Sequence, residues 1–259
     1  MCRHLGYVGS PCSLSSLMYD PPYSLEHQSY APRMSANCLI HADGYGVGWY
    51  RGDGRAPVRF RRAQPIWTDV SFAEVAQVIE APCLVAAVRS ATPGFPVDES
   101  CAQPFRAGTR LFSHNGRVEG YAEVEAKLRD LAFDWASEPA FARVAAGGVT
   151  EVPDARAPVD SALLFALAVR AWRSGASLGD GLAEVVTRVS DLAGGRYNLL
   201  AADGATLAAT AWGDTLFVRE LPAAAVIASE PYDDEPGWRE VPDRSLVTAD
   251  TSGITITRL

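Results

Sequence analysis

Met1-Cys2-Arg3-His4-Leu5-Gly6-Tyr7-Val8-Gly9 opens the chain, and the cysteine directly behind the initiator methionine decides how the rest is read. If an aminopeptidase removes Met1, a step that a small second residue permits, Cys2 carries a thiol and a free α-amine on one Cα. The amine titrates near about pH 8 and an ordinary thiol slightly above, so the amine can take the thiol proton directly or through one water. Such a residue is a nucleophile with its own base. Leu5, Tyr7 and Val8 run into Gly9 as a short strand, which can hold that terminus rigidly in a sheet. A cysteine here also fits a small core residue, so its neighbours must decide.

The 259 residues suffice for one large α/β domain or two small ones, and no internal repeat or linker forces a split. A net charge of -8 argues against a nucleic-acid or membrane-surface partner, which would want a basic face. The five cysteines include no C-x-x-C pair, so neither a disulfide framework nor a zinc ribbon is suggested, and reduced thiols in a cytoplasmic protein are expected. The four histidines, His4, His27, His41 and His114, show no metal spacing. No secretion signal or membrane-length apolar run is present in the sequence.

Residues 10–40, with Pro11, Pro21, Pro22 and Pro32, read as a surface wrap. Gly44, Gly46 and Gly48 alternate with Tyr45, Val47 and Trp49, the pattern of a strand with one bare face onto which a backbone or a substrate can close. Gly52-Asp53-Gly54 leads into a hairpin partner at 58–62. Phe72, Val75, Ala76 and Ile79 predict a helix over 71–80 started by Ser71. Residues 84–89 predict a buried strand ending on Arg89, and 110–116 another. A helix over 119–133, an irregular excursion over 134–158 and amphipathic helices over 160–174 and about 180–192 follow. The rest is hairpin material at 197–202, 206–212, 215–219 and 225–229, with strands around Leu246 and Ile254. This order suggests two sheets packed around or between helices. Glu230-Pro231-Tyr232-Asp233-Asp234-Glu235 reads as a solvated acidic loop that could wall a site.

Beside Cys2, an amide-cleaving site needs oxyanion donors and an anchor for the substrate. In a Ser113-His114-Asn115-Gly116 turn, the Asn115 side-chain NH₂ and the Gly116 backbone N–H can face one oxygen, and glycine tolerates positive φ. Asn-Gly is equally the commonest hairpin turn. Arg89 can bind a carboxylate through two parallel hydrogen bonds, or cap a strand as a surface charge. Asp160 can cap a helix or hold a substrate ammonium.

Met1-Cys2-Arg3-His4, Val88-Arg89-Ser90-Ala91-Thr92, Ser113-His114-Asn115-Gly116, Val159-Asp160-Ser161 and Ala228-Ser229-Glu230-Pro231-Tyr232-Asp233-Asp234 together resemble a class II glutamine amidotransferase domain of the N-terminal nucleophile hydrolase superfamily. The resemblance spans nearly the whole chain. Within that family, Gln28-Ser29-Tyr30-Ala31-Pro32-Arg33, Asn115-Gly116 and Ala211-Trp212-Gly213-Asp214-Thr215 are similar to the ergothioneine-pathway subfamily, which hydrolyses the γ-glutamyl amide of γ-glutamyl-hercynylcysteine sulfoxide.

The resemblance implies an α+β fold, a four-layer αββα sandwich in one domain over 2–259; the 134–158 excursion departs from it, being an insertion longer than the family pattern. It implies attack on the γ-carbonyl by Cys2 through a thioester, with the Cys2 amine as base and Asn115 and Gly116 as oxyanion hole. Arg89, helped by Thr92, would bind the α-carboxylate, Asp160 the α-ammonium, and His114 would line the γ-glutamyl pocket. No metal or organic cofactor is implied, the small γ-glutamyl substrate is the expected partner, and the oligomeric state stays open. A glutaminase subunit passing ammonia to a partner synthase, and a binding module that kept the fold, fit the same residues. Trp49, Tyr45 and Trp212 could bind a quaternary ammonium, although tryptophans are more often core.

Overall fold

The computed structural model describes residues 2–35, 39–133 and 152–259. Its first strand, β1 (Cys2–Ser13), is central to a seven-stranded antiparallel sheet. Beside it run β2 (Tyr45–Tyr50), β3 (Val58–Arg62), β4 (Glu80–Arg89), β9 (Phe217–Leu221), β10 (Ala224–Ala228) and β11 (Trp238–Glu240), in the order β11-β9-β10-β1-β4-β2-β3. A second, six-stranded sheet holds β5 (Phe105–Ala107), β6 (Arg110–Val118), β7 (Gly195–Ala202), β8 (Leu207–Ala211), β12 (Ser245–Asp250) and β13 (Gly253–Arg258), in the order β13-β12-β8-β7-β6-β5.

Strand periodicity then sorts the side chains into layers. On β1, Leu5 and Tyr7 face outward, whereas Val8 faces inward and joins Val85, Leu111, Leu200 and Ile227 between the sheets. Outside the first sheet lie α1 (Ser15–Met18), α2 (Leu25–Tyr30) and α3 (Val70–Val78), which bury Leu17, Met18, Leu25 and Phe72 against it. Outside the second lie α4 (Tyr121–Phe133), α5 (Asp160–Arg173) and α6 (Leu178–Ser190), packed through Leu128, Phe165 and Val185. The fold is therefore the α+β, four-layer αββα sandwich. Each fully buried Leu or Phe contributes about 1.5–3 kcal/mol, so three such interfaces are what hold the layers together.

The bare face of β2 is used by another backbone. A methyl group at Gly46 would overlap the carbonyl oxygen of Gln103, and one at Gly48 would lie 2.7 Å from Leu111 Cδ1. The 103–104 segment and the second sheet close onto β2 through that absence of side chains.

Several expectations are corrected. Residues 10–40 are not merely a wrap: β1 runs on to Ser13, and α1 and α2 follow. The cap of α3 is Asp69, whose carboxylate accepts from Phe72 N at 3.0 Å, because the helix starts one residue before Ser71. Helix α5 is buried nearly all round rather than amphipathic, since it packs on the second sheet with α4 and α6 on either side. The last hairpins divide between the sheets: β9 and β10 join the first, whereas β12 returns to β8. Strands β5 and β11, of three residues each, are too short to show alternation. Of the expected excursion, 134–151 lies outside the described residues. Its return is tied down by a 3-10 turn, Pro153–Arg156, whose Asp154 pairs with Arg59 and Arg61 and accepts from Arg106 N at 2.7 Å.

Candidate active site

Antiparallel pairing brings the start of one strand beside the end of its neighbour. Cys2, first in β1, sits in register with Arg89, last in β4. Cys2, Arg89, Thr92, Gly116 and Asp160 line one narrow pocket, with Ser161 and Gln103 beside them. Five of the seven residues singled out in the sequence thus meet at one cleft.

Arg89 and Asp160 are each buried in this pocket without an ion-pair partner among the described residues. Arg89 donates to the carbonyl oxygens of Pro96 at 3.0 Å and Asp43 at 3.4 Å, and among the described residues no carboxylate lies within ion-pair distance of it. It is therefore not a surface charge capping a strand. Asp160 accepts from Val118 N at 2.9 Å and Ser161 N at 2.7 Å, again without a described cation in pairing distance. It is the first residue inside α5, not its cap, which is Val159. Burying an unpaired charge is costly, so a site holding one of each sign is matched to a ligand carrying both. Burial pushes the Cys2 thiol up; Arg89 and the Ser90 backbone N–H oppose the shift and Asp160 adds to it.

Asn115 and Gly116 lie within β6, not in a turn, and the hairpin alternative falls with that. Gly116 has φ +155, and a Cβ there would overlap the Arg196 carbonyl and stand 2.7 Å from His114 Nε2. Asn115 Oδ1 accepts from Cys2 N at 3.2 Å, and its NH₂ reaches Ser229 Oγ at 3.5 Å. Its oxygen therefore serves the nitrogen of the nucleophile, a role not foreseen for it. His114 does not line the pocket: it is fully buried behind Ser161, with Nδ1 at 2.9 Å from Ser161 Oγ and Nε2 at 2.9 Å from the Arg196 carbonyl. Burial lowers its pKa, and the nearby Asp160 charge opposes that.

The acidic segment is a solvated loop only at its far end, where Asp234 and Glu235 are exposed. Glu230 is fully buried, 3.7 Å from the buried Arg3, and accepts from Arg33 N and Met34 N at 3.0 and 2.9 Å. A guanidinium facing outward one residue from the nucleophile needs that countercharge. Tyr45 is core, Trp49 packs against it, and the Trp212 ring already faces the Arg244 guanidinium at 4.1 Å. Gln103 was missed. Its Nε2 lies 3.9 Å from Cys2 Sγ, and the only advance signal was the bare face of β2, which shows that something closes there but not what.

Among the described residues no helix is long and apolar enough to cross a membrane, and no three His, Cys, Asp or Glu side chains are grouped to hold a metal ion. A family model described as class-II glutamine amidotransferases matches residues 12–146. The chain is 41% identical over 259 residues to the gamma-glutamyl-hercynylcysteine sulfoxide hydrolase of Mycobacterium tuberculosis (strain CDC 1551 / Oshkosh), covering 100% of this chain and 97% of that protein. It is 40% identical to the protein of the same name from Mycolicibacterium smegmatis, over the full length of both. Among solved structures, a glutamine aminotransferase class-II domain protein from Silicibacter pomeroyi matches with TM-score 0.66 at 21% identity, over 99% of both chains. The glutamine phosphoribosylpyrophosphate amidotransferase of B. subtilis matches with TM-score 0.62 at 17% identity, over 99% of this chain and 49% of that one. These last two speak to the fold. With the sandwich, the cysteine at the head of its central strand and full-length relatives agreeing, the chain belongs to the class II glutamine amidotransferases.

Proposed function

We propose that the protein hydrolyses the γ-glutamyl amide of γ-glutamyl-hercynylcysteine sulfoxide, releasing glutamate and the free amine. The observation that carries this reading is the pocket where Arg89 and Asp160, oppositely charged and each without a described counter-ion, flank Cys2. A γ-glutamyl head presents one carboxylate and one ammonium, and pairing each with its opposite sets the γ-carbonyl beside the thiol. The names of the full-length relatives support the choice of leaving group.

Once Met1 is removed, the nitrogen held by Asn115 Oδ1 is an amine, and its lone pair takes the thiol proton. The sulfur attacks the γ-carbonyl carbon, and the oxyanion faces Gly116 N–H and the Asn115 NH₂. The C–N bond breaks as the Cys2 ammonium returns its proton to the departing nitrogen. Water then adds to the γ-glutamyl thioester, the amine accepts a water proton, and the thiolate leaves as glutamate is freed. His114, behind Ser161, shapes the pocket without touching substrate. The single domain over 2–259 is part of the same proposal.

The test is glutamate release by purified, Met1-processed protein given γ-glutamyl-hercynylcysteine sulfoxide or glutamine at matched concentration. Release from the sulfoxide, lost in Cys2→Ala, is expected. Release from glutamine alone would overturn the substrate assignment.

A further inference from the structure

We infer that Gln103 is the side-chain hydrogen-bond donor to the Cys2 sulfur, fixed in that orientation by a buried relay through Ser113 and His4. The inference rests on Cys2 being the nucleophile, and on nothing about which γ-glutamyl compound is cleaved.

The relay follows from donor accounting. Gln103 Oε1 accepts from Ser113 Oγ at 2.7 Å and from His114 N at 2.6 Å. A flipped amide would set its NH₂ against the His114 N–H, so the oxygen must face that way. On the other side Nε2 donates one hydrogen to the His114 carbonyl at 3.2 Å, leaving the second for Cys2 Sγ at 3.9 Å. Ser113 has spent its only proton on Gln103, so at 3.2 Å its oxygen accepts from His4 Nδ1. His4 thus carries a proton on Nδ1, and because its buried Nε2 has no hydrogen-bond partner among the described residues, a second proton there would be stranded and the ring is neutral.

The backbone of Gln103 is held as firmly. Arg61 donates to the Ala102 carbonyl at 3.0 Å and Arg59 to the Pro104 carbonyl at 3.2 Å, and Asp154 pairs with both arginines. Gly46 leaves room for the Gln103 carbonyl itself. A buried amide clamped on both flanks and at both ends of its side chain has one free hydrogen, and the nucleophile lies in front of it. That hydrogen stabilises negative sulfur twice, as the attacking thiolate and as the thiolate expelled when water cleaves the thioester.

The test is the pH dependence of iodoacetamide alkylation of Met1-processed protein, followed at Cys2 by peptide mass. The other charged and titratable groups around the thiol are the Cys2 α-amine itself, common to all the variants, Arg89 on β4, Asp160 on α5, His114 on β6 and His4 on β1. Gln103→Leu removes the donor, Gln103→Glu keeps the acceptor for Ser113 and His114 while removing the donor, and Ser113→Ala loosens the relay. In both Gln103 variants the alkylation profile is expected to move alkaline by about one pH unit, more in Glu than in Leu, and in Ser113→Ala by less. Because a more basic thiolate is also more nucleophilic, Cys2 should react about threefold more slowly at pH 7 and about threefold faster once fully ionised. A structural role would not produce that crossover. If Gln103→Leu does not fold, the Glu and Ser113 variants carry the test. Profiles superimposing on wild type overturn the inference, whereas a wild-type Cys2 that resists alkylation throughout would overturn its role as nucleophile.

Discussion

Gly46→Ala puts one methyl group against the segment that carries Gln103, far from any charge of the site. Its Cβ would overlap the Gln103 carbonyl oxygen and stand 2.8 Å from Arg61 Cγ and 2.9 Å from the Phe60 carbonyl, where ordinary contact begins at 3.4 Å. Phe60 lies in β3, paired to β2 by the backbone, whereas Gln103 is held by the Arg59 and Arg61 side chains, so the relief open to the molecule is a retreat of Gln103 by about 1 Å. Overpacking of this kind costs about 1–3 kcal/mol, several degrees in Tm for a chain of this size. A 1 Å misplacement at a reacting group costs about 10²-fold in rate. The expected variant is folded, mildly destabilised, and about two orders of magnitude lower in kcat/KM for glutamate release. Gly48→Ala is the control, on the same strand face, because its Cβ meets side chains alone, Leu111 at 2.7 and 2.8 Å and Pro104 Cγ at 3.2 Å, and no backbone atom of Gln103. It should lose stability and keep activity. If the two variants lose Tm equally and both retain wild-type kcat/KM, the bare face of β2 is a packing device without a link to the nucleophile.

Two further outcomes follow from buried charge. Arg89→Lys keeps the charge but loses the planar fork, so KM for the γ-glutamyl substrate should rise about tenfold with a smaller change in kcat; an unchanged KM would remove Arg89 from carboxylate binding. His4, pushed down to about 3 chiefly by burial, with the His114 and Arg3 charges adding, is neutral when folded but titrates near its ordinary 6.5 when unfolded. Between those values the unfolded chain binds the proton and the folded one does not. Stability from this group is thus complete above pH 6.5 and declines as pH falls, by about 2 kcal/mol at pH 5. Unfolding free energies from urea titrations at pH 7 and 5 should differ by that much more in wild type than in His4→Gln, and equal differences would contradict a buried neutral His4.

What the sequence disclosed depended on whether a residue's partner was local. Cys2 and Arg89 were legible because each sits at a strand end, and antiparallel register joins such ends without side-chain detail. Gly44, Gly46 and Gly48 advertised a close approach, but the approaching segment lies more than fifty residues on, so Gln103 carried no local mark. Asn115-Gly116 was singled out for a wrong local reason: Asn-Gly suggests a turn, whereas here the glycine is demanded by the Arg196 carbonyl of the neighbouring strand. Glu230 failed in the opposite direction. Its acidic neighbours suggested solvent, yet a buried Arg3, two hundred residues earlier, draws that carboxylate inside.

The chemistry of β1 follows from its period of two. Arg3 faces outward to Glu230, while Cys2 and His4 face the second sheet about 6.7 Å apart, the repeat of alternate residues on a strand. The Gln103 amide links the two, with its NH₂ toward the cysteine and its oxygen, through Ser113, toward the histidine. The Cys-x-His opening therefore makes sense without a metal: one residue is the nucleophile, and the other fixes the direction of the donor that faces it. Because His4 is neutral and its proton is committed to Ser113, it can orient that donor without contributing charge or competing with the Cys2 amine as base.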